Sequence, residues 1–143
     1  MKIKLNSLDI LTSEIVRRLV YYDGESHCEY CGKVFVDTHK DNGDIYPAWK
    51  HLQVSHFIGR RYKNTRYLTE NCACLCFACH NLMHDFPAIH KSFFDKRIGS
   101  EVVERLEILA RSGGKPDMEM ITLNLKAKIK IMEESYDSKG LVL

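Results

Sequence analysis

The chain has 143 residues, 45% hydrophobic and 28% charged, and 21 Lys and Arg against 19 Asp and Glu leave a net charge of +2. That length fits a single domain, 1–143, with a modest core, and the composition excludes a disordered or collagen-like chain. No run of about 18 apolar residues is present, so no spanning helix and no membrane partner are expected. Met1-Lys-Ile-Lys-Leu-Asn6 lacks the apolar stretch of a secretory signal. The small net charge neither demands nor excludes nucleic acid, because phosphate binding depends on a local patch.

Residues 7–22 read as a helix, with Ser7 as N-cap and Ile10, Leu11, Ile15 and Leu19 on one face. Asp23-Gly24 ends it. Residues 33–37 make a short strand candidate, and 38–47 a polar loop. Residues 52–57 read as a strand that ends near His56. A basic loop, 59–64, follows, and 65–68 offer a second strand. Residues 77–85 suit a short helix. Asp85 and Pro87 open another, which Gly99 stops. Ser100 is expected to cap the next, with Val102, Val103, Leu106 and Leu109 as its apolar stripe. Ser112-Gly-Gly-Lys-Pro116 is a break. Residues 117–134 are ambiguous. Residues 123–131 alternate apolar and polar as a strand does, yet Asp117 can cap a helix and the composition is helix-forming; the balance favours helix.

Two Cys-x-x-Cys pairs stand out, Cys28-Glu-Tyr-Cys31 and Cys76-Phe-Ala-Cys79. Such a pair turns both sulfurs toward one ion, and two pairs fill a tetrahedron with no open position. The expected cofactor is therefore a structural Zn²⁺, held as thiolates in a reducing cytosol rather than as disulfides. Cys72 and Cys74, at single-residue spacing, read as small core residues.

A second constellation lies between and just after the knuckles. His56 is followed by Asn71 15 residues later, His80 9 after that, and His84 4 further on. Phosphodiester hydrolysis needs a water, a base for its proton, and a cation near the developing charge. His56 at a strand end is the candidate base. His80 and His84 share a helix face and can bind one divalent ion together. Asn71 can fix the loop that carries His56. Arg60, Arg61, Lys63 and Arg66, interleaved with Tyr62 and Tyr67, can neutralise phosphates. His27, His39, His51 and His90 lack such partners and read as surface or packing residues.

At these residues the chain resembles the HNH, or ββα-metal (His-Me finger), endonuclease superfamily. There a His ends the first strand, an Asn follows the second, and a helix residue binds the ion. Ser55-His56, Asn71 and Cys76-Phe-Ala-Cys79-His80 match in order, and the added His84 is similar to the colicin-type nucleases. A looser likeness, through Ser55-His56-Phe57, Thr65-Arg66, Asn71 and Lys96-Arg97-Ile98-Gly99, reaches the phage NinG/Rap-like recombination nucleases, which act on branched DNA. Many superfamily members carry Asp or His, an ion ligand, just before the base. Here Ser55 stands there, so the third ligand is left to Ser55, Asp85, another carboxylate, water or phosphate.

The reading is thus an α+β protein: a zinc-supported nuclease core at 28–84, an N-terminal helical segment at 1–27 and a C-terminal helical extension at 86–143. The function it implies is a metal-dependent DNA endonuclease, in the cytosol of a bacterial or phage-infected cell. The catalytic ion is Mn²⁺, Zn²⁺, Ni²⁺ or Mg²⁺, and imidazole donors suit the first three better. Family resemblance implies 5′-phosphate and 3′-hydroxyl products, and symmetric cutting of a branched substrate favours a homodimer. Two rivals are a non-catalytic zinc-stabilised DNA-binding module and a protein-interaction module built on the C-terminal helix.

Overall fold

The computed structural model describes residues 2–138. Its first helix, α1, is Ser7–Arg18. The cap is Asn6 rather than Ser7. Asn6 is extended, its side-chain oxygen accepts from Asp9 N at 3.0 Å, and the Asp9 carboxylate accepts from Asn6 N at 2.8 Å. This reciprocal box satisfies two otherwise orphaned donors. The inward face also differs from expectation. Ile15 and Val16 are buried and Leu8 and Leu11 pack beside the core, while Ile10 and Leu19 are exposed.

Two short hairpins follow. β1 (Glu25–His27) pairs with β2 (Val34–Val36) around the first knuckle, and β3 (Thr38–His39) pairs with β4 (Ile45–Tyr46) inside the expected loop. A single 3₁₀ turn, Ala48–His51, buries Trp49 and leads to β5 (Gln53–His56).

The partner of β5 is not 65–68, which winds through consecutive turns into a 3₁₀ segment, Thr69–Asn71. It is β6, Cys72–Leu75, paired antiparallel with Ser55 opposite Ala73 and His56 opposite Cys72. All four β6 residues are buried, so the strand shows no polar alternation. The reason is cover on both faces. Cys72 and Cys74 join a cluster with Val16 of α1, and Ala73 packs with Phe94 and Val103.

Next come α2 (Phe77–Asp85), α3 (Pro87–Ile98) and α4 (Ser100–Arg111). Pro87 occupies the first turn of α3 as expected, but Phe86 stands at the cap and Asp85 belongs to the end of α2. Gly99, at φ 91°, both ends α3 and starts α4, so Ser100 is the first helical residue and caps nothing with its side chain. That positive φ suits only glycine without strain. Val103 and Leu106 carry the inward face of α4, while Leu109 is exposed.

The ambiguous final segment is a helix, α5, Met118–Ser138, with the Asp117 carboxylate accepting from Met120 N at 3.0 Å. Ile121, Leu125, Ile129 and Met132 form its seam against α1, where Leu125 is buried with Ile15 and Tyr67. The apparent alternation comes from a second stripe that includes Leu123 and Ile131, both exposed to solvent. No helix among the described residues is long and apolar enough to cross a membrane.

Candidate functional site

The two knuckles are brought together by the β5–β6 pair and the start of α2. Sγ atoms of Cys28, Cys31, Cys76 and Cys79 all lie within 4.8 Å of one another. An ion about 2.3 Å from four sulfurs in a tetrahedron sets them about 3.8 Å apart. Cys31 and Cys76 are separated by 3.8 Å. The four cysteines are therefore placed to hold a metal ion, and their geometry and chemistry are compatible with structural zinc. In the first knuckle, Gly32 N donates to Cys28 O at 3.0 Å with φ 77° at Gly32, a turn that favours glycine. Burial pushes the Cys28 thiol up, but backbone hydrogen bonds at Cys31, Cys76 and Tyr30, with the Cys31 thiol, outweigh it and bring Cys28 down to about 7. The Cys79 thiol of the same quartet is instead pushed up, first by burial and then by its hydrogen bonds with the Cys76, Cys31 and Cys28 sulfurs.

Glu29, inside the first knuckle, ties it to the scaffold. Its carboxylate accepts from Cys74 N at 2.6 Å and from Arg97 Nε at 2.9 Å. Cys72 and Cys74 lie outside the quartet and are fully buried. Burial raises both thiols, Cys72 to about 12. Both are inert core thiols.

His56 ends β5. It is half-buried, and burial together with the Arg60 charge lowers its pKa to about 4, against the raising influences of Asp9 and the Arg66 backbone. The imidazole is neutral at physiological pH. Asn71 is fully buried and clamps the following loop. Its Oδ1 accepts from Ile58 N at 2.9 Å, and its Nδ2 donates to Ile58 O at 3.0 Å and Thr65 O at 3.2 Å. Phe57 N also donates to Asn71 O at 2.8 Å, so the backbone just past His56 is held from both sides.

His80 sits half-buried on α2, one turn before the exposed His84. Burial lowers its pKa, a hydrogen bond to the Val54 backbone raises it, and the charges of His84 and Arg60 lower it further. The Val54 carbonyl, on β5, holds the His80 ring through one of its nitrogens.

Two clefts meet at this point. One, of about 420 Å³, is lined by Ser55, His56, Phe57, His80, Met83, His84 and His90. The other, of about 430 Å³, runs between α1 and β5 and is lined by Asp9, Ser13, Arg17, Val54, His56, Arg60 and His80. His56 and His80 border both. A larger cavity, about 640 Å³, lies between the first knuckle and α3, beside Glu29, Phe93 and Arg97, and contains none of these histidines. Chemistry, not size, marks the site.

The basic residues divide. Arg60 reaches into the second cleft, and its Nε is buried without a hydrogen-bond partner. Arg61 and Lys63 are exposed, and Arg61 donates to Tyr62 OH at 2.8 Å. Arg66 forms an ion pair with Asp9, and Tyr67 is buried, accepting from Asn6 Nδ2 at 2.7 Å.

His27 and His39 are exposed, and His51 stacks on Phe35 with ring centres 5.4 Å apart. His90 is a packing residue, set edge-on against Phe57 and Phe94, but its place differs from that of the other three. It comes from α3 into the histidine cleft, with Nε2 2.9 Å from Ser55 Oγ. Sequence spacing gave no signal for it, because Pro87 breaks the helical periodicity between His84 and His90.

Residues 28–86 match the family model for HNH endonuclease. That match supports placing the segment in the HNH superfamily, and it contains both knuckles, His56, Asn71, His80 and His84. No curated protein matches the chain. No solved structure matches it either.

Proposed function

We propose that this chain is a metal-dependent DNA endonuclease whose core is a ββα unit formed by β5, β6 and α2, supported by a structural zinc on the cysteine quartet. The observation that carries the reading is the pairing of a neutral His56 with His80 at the junction of two clefts, inside the segment that matches the HNH model.

His56 takes a proton from the water that attacks phosphorus. The bond from phosphorus to the 3′ oxygen breaks, and that oxygen takes a proton from solvent, leaving 5′-phosphate and 3′-hydroxyl ends. His80 and His84 would hold a divalent cation, which would supply positive charge against the negative charge that develops on the phosphate. The donor set fits Mn²⁺, Zn²⁺ or Ni²⁺ better than Mg²⁺. Asn71 positions His56 through the loop it clamps. Arg60, which lines the second cleft, and the exposed Arg61 and Lys63 contact the phosphate backbone, with Arg66 anchoring their loop. Branched recombination intermediates are the proposed substrates, on the likeness to NinG/Rap-like nucleases, cut symmetrically by a homodimer.

The test is cleavage of linear, nicked and four-way DNA with Mn²⁺, Ni²⁺, Zn²⁺ or Mg²⁺. The wild type is expected to cut. His56→Ala abolishes cutting at every metal concentration, whereas His84→Ala recovers part of its rate as Mn²⁺ is raised, because a weakened site still fills by mass action. DNA binding without cleavage under every ion would leave a zinc-stabilised binding module instead.

A further inference from the structure

We propose that His90 supplies a third protein imidazole to the divalent cation, and that Ser55 is the residue that orients it. This rests on the nuclease reading above and adds a ligand delivered by a different helix.

A catalytic site for an ion such as zinc commonly offers three protein ligands and leaves a position for water or substrate. His80 and His84 offer two. Ser55, beside His56 on β5, is a neutral hydroxyl and a weak donor to a cation. It is 4% exposed, and its Oγ lies 2.9 Å from His90 Nε2. With Nε2–H donating to Ser55 Oγ, His90 Nδ1 keeps its lone pair. A metal-bound imidazole characteristically has its other nitrogen held in this way.

The ring is also fixed sterically. It meets Phe57 and Phe94 edge-on, with centres 5.9 and 5.2 Å apart. All three imidazoles line the same cleft. They share it without forming a closed cage: among the described residues, only the four cysteines gather within reach of one ion. Binding therefore requires the exposed His84 side chain to rotate toward the other two rings. Phe57 and Met83 form apolar walls that favour nitrogen donors over bulk water.

The test is Mn²⁺ titration of the full chain carrying one zinc, followed by loss of the free-ion electron paramagnetic resonance signal. The wild type binds one Mn²⁺. His90→Ala and His90→Phe both weaken it about tenfold or more, and Ser55→Ala weakens it by a smaller factor, as expected for the partner of a ligand. Zinc content stays at one in all of them. His90→Phe keeps the aromatic packing against Phe57 and Phe94, so it decides the matter if His90→Ala does not fold. Wild-type Mn²⁺ affinity in His90→Phe, with affinity lost in His84→Ala, overturns this inference and leaves the nuclease reading standing. Unchanged affinity in His80→Ala and His84→Ala as well removes the cation from that reading too.

Discussion

Arg66 grips Asp9 with two hydrogen bonds, Nη2 to Oδ2 at 2.6 Å and Nε to Oδ1 at 2.9 Å. The same carboxylate closes the capping box at the start of α1. One side chain thus joins the first helix to the basic loop, and both partners are largely buried, 12% and 5% exposed at Arg66 and Asp9. Burial alone would raise the Asp9 pKa, but Arg66 and the Asn6 backbone outweigh it, and the value falls below 3.8. A depressed carboxylate stabilises the fold above its unfolded pKa, and that contribution is lost as pH falls through the folded value.

Asp9→Ala is expected to cost about 3 kcal/mol, since it strands a buried guanidinium and removes half of a cap. Urea unfolding at neutral pH measures it. The gap between wild type and Asp9→Ala should close when the titration is repeated below pH 3.8. A gap independent of pH would mean that packing, not charge, carries the effect.

Zinc and folding are expected to rise and fall together. Cys28→Ser or Cys79→Ser leaves three thiolates and should yield chain that is unfolded or aggregated, because binding energy at such a site is folding energy. Cys72→Ala should keep a full complement of one zinc, since that thiol lies outside the quartet. Elemental analysis with circular dichroism reads both. Folded, active wild type with no bound metal would reject the structural role.

His56 titrates far from an ordinary histidine. Its folded value of about 4 lies below the reference 6.5, so the unfolded chain binds the proton first as pH drops. The stability it contributes is present above 6.5 and is lost between there and about 4, a span worth about 3 kcal/mol. Histidine NMR should show one imidazole with a midpoint near 4. The acid limb of kcat/KM should likewise fall well below 6.5. An acid limb near the reference value, together with a His56 resonance that titrates there, would place His56 in a more solvated setting than described.

Asn71→Ala should leave Ile58 N, Ile58 O and Thr65 O without partners and cost about 3 kcal/mol or more. In whatever fraction folds, kcat should drop more than KM rises, because the loop then no longer holds His56 in place. Amide exchange at Ile58 should accelerate in step. Wild-type protection at Ile58 would show that the loop is held elsewhere.

Much of the site was legible because its elements are local. Cys-x-x-Cys spacing announces a knuckle, and a four-residue interval puts His80 and His84 on one helix face. The strand ending at His56 was also visible. β6 was not, because a strand covered on both faces loses polar alternation, and Cys72-Ala-Cys-Leu75 reads as filler. Residues 65–68 looked more strand-like, yet their backbone is taken up in turns around Asn71. Capping was misassigned at Ser7, Asp85 and Ser100 by one residue each, since a cap depends on where the chain turns rather than on composition alone. His90 was invisible for a different reason. Its partners Ser55, Phe57 and Phe94 come together only after α3 folds back, and no interval in the sequence encodes that.

The contact between Cys31 and Cys76 spans 45 residues, and everything proposed to act on DNA except α2 and α3 lies within that span. Bringing two ends so far apart together carries a loop-closure cost that local hairpins do not repay on their own. A metal ion on the quartet would hold that closure shut, with the strand pair and the basic loop inside it. The exposed tip at Asn42 and Gly43 is where added length disturbs that closure least.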